Sequence, residues 1–363
     1  MHIAIDARII NSGTGTYVAK LLEYLQQIDT VNDYTVLLRE KDIDYWRPVG
    51  ANYTSVVAEF DNYSFAEQIG FKKFLDVLQP DLVHFCMPQQ PIFYKGKRVT
   101  TVHDLTLLNT YNSDKNWFVF HAKQLVGRFV FKRVASISNH IIAISENTRR
   151  EYQEFSGISN DKISVIYEAA EAKHGAITPY NNLPFKEFIM YVGQQPDYKN
   201  IRRLMQAHQK MIETKPDLGL VLVGRMNPDT TANKLWAEKQ GFKNIHFTGF
   251  IEDGERDWLF TRAKAYVFPS LMEGFGLPPL EAMAYGTPVV SSNASCMPEI
   301  LGSAAEYFDP LSIDDIATKT LTVIGDENIR QELIQRGYSQ VAKYSWETMA
   351  RKTHAIYMRA SRE

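Results

Sequence analysis

The sequence predicts an α/β protein built from two parallel-sheet halves, and three observations carry that expectation. The chain has 363 residues, enough for two cores of ordinary domain size. Short Val- and Ile-rich runs recur along it, apolar on both faces as buried parallel strands are, with helix-like segments between them. Near the middle, "AEAKHGAITPYNNLPFKEF" (170–188) carries Gly175, Pro179, Asn181, Asn182 and Pro184 without periodicity, which marks a linker. The expected division is therefore residues 1–175 and 176–345, with 346–363 as a C-terminal helix.

The strand candidates of the first half are "HIAIDA" (2–7), "YTVLLR" (34–39), "SVVAEF" (55–60), "DLVHFC" (81–86), "RVTTVHD" (98–104), "HIIAIS" (140–145) and "KISVIY" (162–167). Those of the second are "EFIMYVG" (187–193), "LGLVLVG" (218–224), "NIHFTGF" (244–250), "KAYVFPS" (264–270), "PVVSS" (288–292) and "AAEYFD" (304–309). The end of the chain reads as a helix because Ser345 is a good N-cap and Glu347 falls in the first turn. Hydrophobic residues at 45% and charged residues at 23% are the balance of a soluble globular protein. A net charge of −2 argues against a nucleic-acid partner over the whole surface. The opening "MHIAIDARII" has no long apolar run, so Cys86 and Cys296 read as reduced thiols of a cytoplasmic protein. No stretch approaches the ~18 apolar residues that span a bilayer.

In open α/β sheets ligands bind beyond the carboxyl ends of the strands, so two such halves are expected to share a cleft. The most informative stretch, "EGFGLPPLEAMAYGTPVV" (273–290), lies just after a strand candidate. Gly274 and Gly276 let the backbone approach a ligand. Pro278 and Pro279 suit a first helical turn, where their missing N–H groups cost little. Gly286 is placed to end that helix, with Pro288 beyond it. This puts Glu281 in the first turn and Glu273 just ahead of it. A helix N-terminus is a ready phosphate site, and flanking carboxylates accept hydrogen bonds from sugar hydroxyls. Together they describe a sugar nucleotide. The plainer alternative is that Glu281 complements the helix dipole and Glu273 is solvated.

Other candidates also follow strands. Lys199 comes after "FIMYVG" and can sit on a diphosphate as a point charge. "SGTGTY" (12–17) offers Gly13 and Gly15, half of a dinucleotide fingerprint, since Val18 takes the third glycine position. His103 and Asp104 follow "RVTTV", where the imidazole can meet a sugar hydroxyl or a backbone carbonyl. The "DID" at 42–44 resembles a metal-binding triplet, but it has no further carboxylate cluster or histidine nearby; it reads as a solvent-exposed loop, and no metal is expected. In "NWFVFHAKQLVGRFVFKRVASISNH" (116–140), Ala122, Leu125, Val126, Phe129, Val130 and Val134 follow helical spacing, with Trp117, Phe118 and Phe120 ahead of them. A core helix with a solvated basic face is the favoured reading there, and peripheral membrane contact the alternative.

The motifs resemble the retaining, GT-B-fold glycosyltransferases of family 4, whose signature has two glutamates separated by seven residues, here Glu273 and Glu281. The resemblance runs through "IDARIINSGTGTYVAKLL", "VHDL" (102–105), "IIAISENTRREY" (141–152), "YVGQQPDYKNIRRL" (191–204) and "GTPVVSSNASCMPEILG" (286–302). It implies two Rossmann-like domains: the first for the acceptor, the second for the nucleotide sugar, with the last helix returning to the first. It implies that Glu273 touches the donor sugar, Glu281 the ribose, and the backbone of Gly274, Phe275, Gly276 and Leu277 the sugar and phosphates. Gly13 and Gly15 would roof the donor, and His103 would lie near the reacting carbon. Catalytic roles thus fall to Glu273, His103 and Lys199. Relatives often carry an arginine where this chain has Gln194 or Tyr198, so Arg225, after "GLVLVG", is the expected second cation. Asp104, Arg149 and Arg150 are candidates for the acceptor.

The expected reaction is metal-independent, retaining hexosyl transfer without a cofactor, from a sugar nucleotide to a glycan or lipid-linked acceptor. The C-terminal motifs resemble the mannosyltransferase subgroup, which points to GDP-mannose. An epimerase on the same architecture would need further acid–base carboxylates. A non-catalytic sugar-nucleotide sensor would not need Glu273, Glu281, Lys199 and His103 together.

Overall fold

The computed structural model describes residues 1–62, 64–109, 117–172 and 175–362, and the side chains of these residues apart from 107, 109 and 117–123. The chain forms two compact units. The first comprises Met1–Glu168 and the segment from Ser345 on; the second is Ala169–Tyr344.

In the first unit the elements are β1 (His2–Asp6), α1 (Gly15–Ile28), β2 (Asp33–Leu38), β3 (Tyr53–Val57), α2 (Lys72–Leu78), β4 (Leu82–Phe85), β5 (Arg98–Val102), α3 (Thr106–Asn109), α4 (Trp117–Ile137), β6 (His140–Ala143), α5 (Glu146–Ser156) and β7 (Ile163–Val165). The second unit holds β8 (Glu187–Val192), α6 (Ile201–Thr214), β9 (Leu218–Val223), α7 (Pro228–Lys239), β10 (Ile245–Gly249), α8 (Asp253–Arg262), β11 (Ala265–Phe268), α9 (Leu277–Ala284), β12 (Val289–Ser292), α10 (Met297–Leu301), β13 (Ala305–Phe308), α11 (Ile313–Gly325) and α12 (Glu327–Val341). Helix α13 (Trp346–Ala360) closes the chain, capped by the Ser345 hydroxyl accepting from the Thr348 N–H. It packs on the first unit. His354 reaches Asp29 at 2.8 Å, Tyr357 reaches His84 at 2.5 Å, and Arg359 reaches His140.

Both sheets are parallel. The first runs β3-β2-β1-β4-β5-β6-β7 and the second β10-β9-β8-β11-β12-β13. Their strands are the apolar runs of the sequence, and most are buried throughout: Val83, Val99 and Ile141 in one sheet, Ile189, Val221, Val267 and Val290 in the other, are fully buried. Each order reverses once, between β1 and β4 and between β8 and β11. Loops leaving adjacent strands at such a point run in opposite directions and open a crevice there. That geometry selects the segments after β1, β4, β8 and β11 as the places where ligand chemistry can be built.

Two local expectations are corrected. Asp42 of the "DID" triplet is buried, in a 3-10 turn (Glu40–Asp42), and accepts a 3.2 Å hydrogen bond from Asn11; only Asp44 is exposed, paired with Arg47. The turn folds Asp42 inward because Asn11 supplies a donor there. In α4, Val130 and Val134 join the core with Phe131, Tyr152 and Ile141, but Leu125, Val126 and Phe129 are 70%, 57% and 59% exposed. The apolar residues of that helix cover more than one stripe, and only one stripe packs. The side chains of Trp117, Phe118, Phe120 and Ala122 lie outside the described residues.

Candidate functional site

In the second unit the site grows from the two switch-point strands. The chain leaves β8 through Gly193 and crosses Gln194, exposed, to a 3-10 turn at Asp197–Lys199. Gly193 and Gly224, at the ends of paired strands β8 and β9, approach so closely that a Cβ on Gly224 would stand 2.5 Å from the Gly193 carbonyl oxygen. Asn200 then takes the left-handed conformation (φ 60°), and its amide donates to the carbonyls of Pro269 and Pro310 at 3.1 and 2.8 Å. The Leu271 N–H donates to the Tyr198 carbonyl at 2.8 Å. These bonds tie the loop after β8 to the loop after β11.

The result is a direct meeting of two expected residues 74 positions apart. Lys199 Nζ lies 2.6 Å from Glu273 Oε1, with only 17% and 12% of the side chains exposed. The ammonium also sits 5.2 and 5.6 Å from the ring centroids of Tyr198 and Phe268. Burial opposes its charge, but the Glu273 carboxylate and the neighbouring tyrosines more than offset that and raise the Lys199 pKa above its ordinary value. Glu273 is held by its own backbone. The Ser295 hydroxyl donates to the Glu273 carbonyl at 2.7 Å and accepts from the Glu273 N–H at 3.1 Å, and the Cys296 thiol lies 3.3 Å from the same carbonyl. Ser295 achieves this in a left-handed conformation (φ 58°). Neither Asn200 nor Ser295 was singled out by the sequence. The Asn that follows Lys199 ahead of a helix was the one available signal.

Beyond Glu273, Gly274, Phe275 and Gly276 are buried. Gly276 is the left-handed N-cap of α9 (φ 91°), and a Cβ there would meet Met297 Cε at 2.6 Å. Leu277 opens the helix; Pro278 and Pro279 take two N–H groups out of its first turn. The helix ends as the sequence predicts, with Gly286 left-handed (φ 72°) after Tyr285. Glu281, however, is the fifth helical residue, in the second turn and not the first, because the helix starts at Leu277. Its carboxylate acts on Arg256, whose guanidinium is held by Asp257 at 2.8 Å and Asp253 at 3.0 Å. Arg225 follows β9 as expected, exposed, its guanidinium 5.2 Å from the Phe250 ring centroid.

In the first unit Gly15 begins α1 buried, and a Cβ there would overlap the Ile10 carbonyl oxygen, so packing alone accounts for this glycine. Gly13 is exposed with open space around its Cβ position. His103, one residue past β5, is 6% exposed. Its Nδ1 lies 3.2 Å from Glu168 Oε1 and its Nε2 3.0 Å from the Cys86 carbonyl oxygen. Asp104 accepts from the Thr106 N–H at 2.8 Å. Arg149 pairs with Glu146, and Arg150 donates to Asn147 at 2.8 Å, so both lie on the first turns of α5 among their own neighbours. Glu168 was not singled out, though it stands at the carboxyl end of the "KISVIY" run. Among the described residues no group of three or more His, Cys, Asp or Glu is arranged to hold a metal ion, and no helix is long and apolar enough to cross a membrane.

Residues 11–172 match the family model described as Glycosyltransferase Family 4, and residues 180–340 the one described as Glycosyl transferases group 1. The O-antigen chain mannosyltransferase B of Escherichia coli is 30% identical over 288 residues, covering 74% of this chain and 72% of that protein. The chain belongs to the family 4 glycosyltransferases. A second relative, the serotype-specific mannosyltransferase WbdA of Escherichia coli, is 29% identical over 387 residues that cover 96% of this chain. This family 4 chain spans only 44% of the length of WbdA. Anabaena HepE, solved in complex with UDP and glucose, superposes with a TM-score of 0.76 at 15% identity over 99% of both chains. The fold of this glycosyltransferase is therefore GT-B, with two parallel-sheet α/β domains.

Proposed function

We propose that this glycosyltransferase moves mannose from GDP-mannose to a glycan or lipid-linked saccharide with retention of configuration and without a metal. The observation that carries the reading is the Lys199–Glu273 pair, a half-buried cation and carboxylate converging on the switch point of the second sheet. The mannosyltransferase names of its relatives support the sugar.

In this reading the diphosphate takes Lys199 and Arg225, the backbone of Gly274, Phe275, Gly276 and Leu277 lies along it, and Glu281 accepts from the ribose hydroxyls. Glu273 accepts from the mannose. By the family resemblance, His103 is assigned to the reacting carbon, Gly13 and Gly15 to the donor, and Asp104, Arg149 and Arg150 to the acceptor. The bond from the sugar carbon to the diphosphate oxygen breaks while the acceptor oxygen bonds to that carbon on the same face. The acceptor proton passes to the departing phosphate oxygen. Lys199 stabilises the negative charge that grows there, where a fixed cation is worth more than in the ground state.

Peripheral membrane contact belongs to the same proposal. Leu125, Val126 and Phe129 of α4 are exposed beside Arg128, Lys132 and Arg133, also exposed. Apolar side chains ringed by cations are what an anionic lipid surface accommodates. Flotation with phosphatidylglycerol vesicles should carry the protein and phosphatidylcholine vesicles should not; equal behaviour removes this part. For the transfer itself, the protein is incubated with GDP-mannose, UDP-glucose and EDTA. Slow release of GDP from the first alone supports the reading. Release only from UDP-glucose, or an epimerised donor, refutes it.

A further inference from the structure

We propose that Glu168 is a positioning residue that holds His103 as a doubly protonated imidazolium, so that His103 serves the transfer as a fixed positive charge and not as a base. The proposal rests on the reading above that places His103 near the reacting sugar.

The geometry around the ring leads there. A neutral imidazole carries one N–H and one lone pair. Here Nδ1 faces a carboxylate oxygen of Glu168 at 3.2 Å and Nε2 faces the carbonyl oxygen of Cys86 at 3.0 Å. Both partners are acceptors. In either neutral tautomer a ring lone pair would point at an oxygen lone pair inside the fold, where His103 and Glu168 are 6% and 4% exposed. With Glu168 ionised, only the imidazolium satisfies both sides, and the carboxylate supplies its countercharge. The ring cannot turn away easily, because Tyr17 meets it edge-on at 5.0 Å and 84° while the Thr148 hydroxyl donates to the His103 carbonyl at 3.1 Å. The Tyr17 hydroxyl is itself bonded to Thr101 at 2.9 Å.

Neighbouring groups agree with a charge at this point. Glu168 and Asp104 favour it. Burial pushes Tyr17 and Cys86 well above their ordinary values, so both stay neutral. Burial, together with His103 itself, pushes His84 down to about 3, so His84 is neutral and does not compete. Burial works against the His103 charge, but the bond and charge of Glu168, the Cys86 carbonyl and Asp104 outweigh it and raise its pKa. With both nitrogens occupied, His103 has no lone pair with which to take the acceptor's proton. That proton must go elsewhere, which fits its passage to the leaving phosphate.

Nitrogen-15 NMR of histidine-labelled protein tests the pair directly, the His103 signal being identified among nine histidines by its loss in His103→Ala. At about pH 7.5, above the ordinary value of ~6.5, wild type should show both His103 nitrogens protonated. Glu168→Gln keeps the shape but removes the countercharge. Its amide can donate to Nδ1 while Nε2–H still reaches Cys86, so the ring should be neutral at the same pH. Turnover should fall roughly tenfold with little change in the donor KM, and the alkaline limb of the kcat profile should move to lower pH. A neutral ring in wild type overturns the pair, whatever the variant does. A neutral ring in Glu168→Gln with unchanged turnover overturns the role in transfer. Full turnover in His103→Ala, with the wild-type ring protonated, overturns instead the placement of His103 at the sugar.

Discussion

Replacing Glu273 with alanine should destabilise the second unit as well as slow the reaction. The carboxylate is the ion-pair partner of Lys199 at 2.6 Å, and the lysine side chain is 17% exposed. Without Glu273 the ammonium keeps its burial and loses its countercharge, and Tyr198 and Phe268 offer only ring faces at 5.2 and 5.6 Å. Breaking a fully buried pair costs about 3–5 kcal/mol; partial exposure on both sides reduces this to about 2–3 kcal/mol. For a unit of this size that is a fall of roughly 5–10 °C in the midpoint. Lys199→Met keeps the volume, removes the charge and should cost less. The double variant should recover part of the loss, leaving a coupling of about 1–2 kcal/mol in a double-mutant cycle read by thermal or urea unfolding. Additivity within ~0.5 kcal/mol would refute the coupling. It would also mean that any loss of turnover in Glu273→Ala reports the sugar contact alone.

Calorimetry with nucleoside diphosphate should separate the two glutamates: Glu281→Ala weakens binding, whereas Glu273→Ala mainly lowers turnover, since only the second contact changes as the sugar reacts. Identical losses would mean that the roles are wrong. Lys199→Ala and Arg225→Ala should each cut turnover about a hundredfold, ~2.7 kcal/mol. Near wild-type activity in Arg225→Ala alone would leave Lys199 as the diphosphate's cation and show that exposed Arg225 belongs to its stack on Phe250. Because His103 gains affinity for its proton on folding, its contribution to stability is present below ~6.5 and lost as pH rises through the raised folded value. Glu168→Gln should therefore be less stable than wild type at about pH 6, with the gap narrowing at higher pH; a gap that widens would contradict the pair.

The place of each candidate residue in the fold was legible wherever its local surroundings state it. Lys199, Glu273 and His103 each follow a strand, and buried parallel strands announce themselves as unbroken β-branched runs. Gly286 and Pro288 marked the end of α9 because only glycine takes the left-handed turn there without strain. One residue of phase was lost at the start of α9. The prolines fit several positions in a first turn, and the left-handed cap at Gly276 settled Glu281 into the second.

By itself the sequence determined the alternation of strands and helices, the two halves and the residues that stand at strand ends, since periodicity reports which face is buried. It could not report against what. The order β10-β9-β8-β11 brings Lys199 to Glu273, and the inward turn of Asp42 depends on Asn11. Glu168 finds His103 across the carboxyl ends of strands distant in the chain. In α4 the helical period was clear, but too many apolar residues share it, and only packing decided that Val130 and Val134 go inward while Leu125, Val126 and Phe129 face solvent. Such pairings depend on sheet order and side-chain reach between segments far apart in the chain. Local propensity holds no information about either.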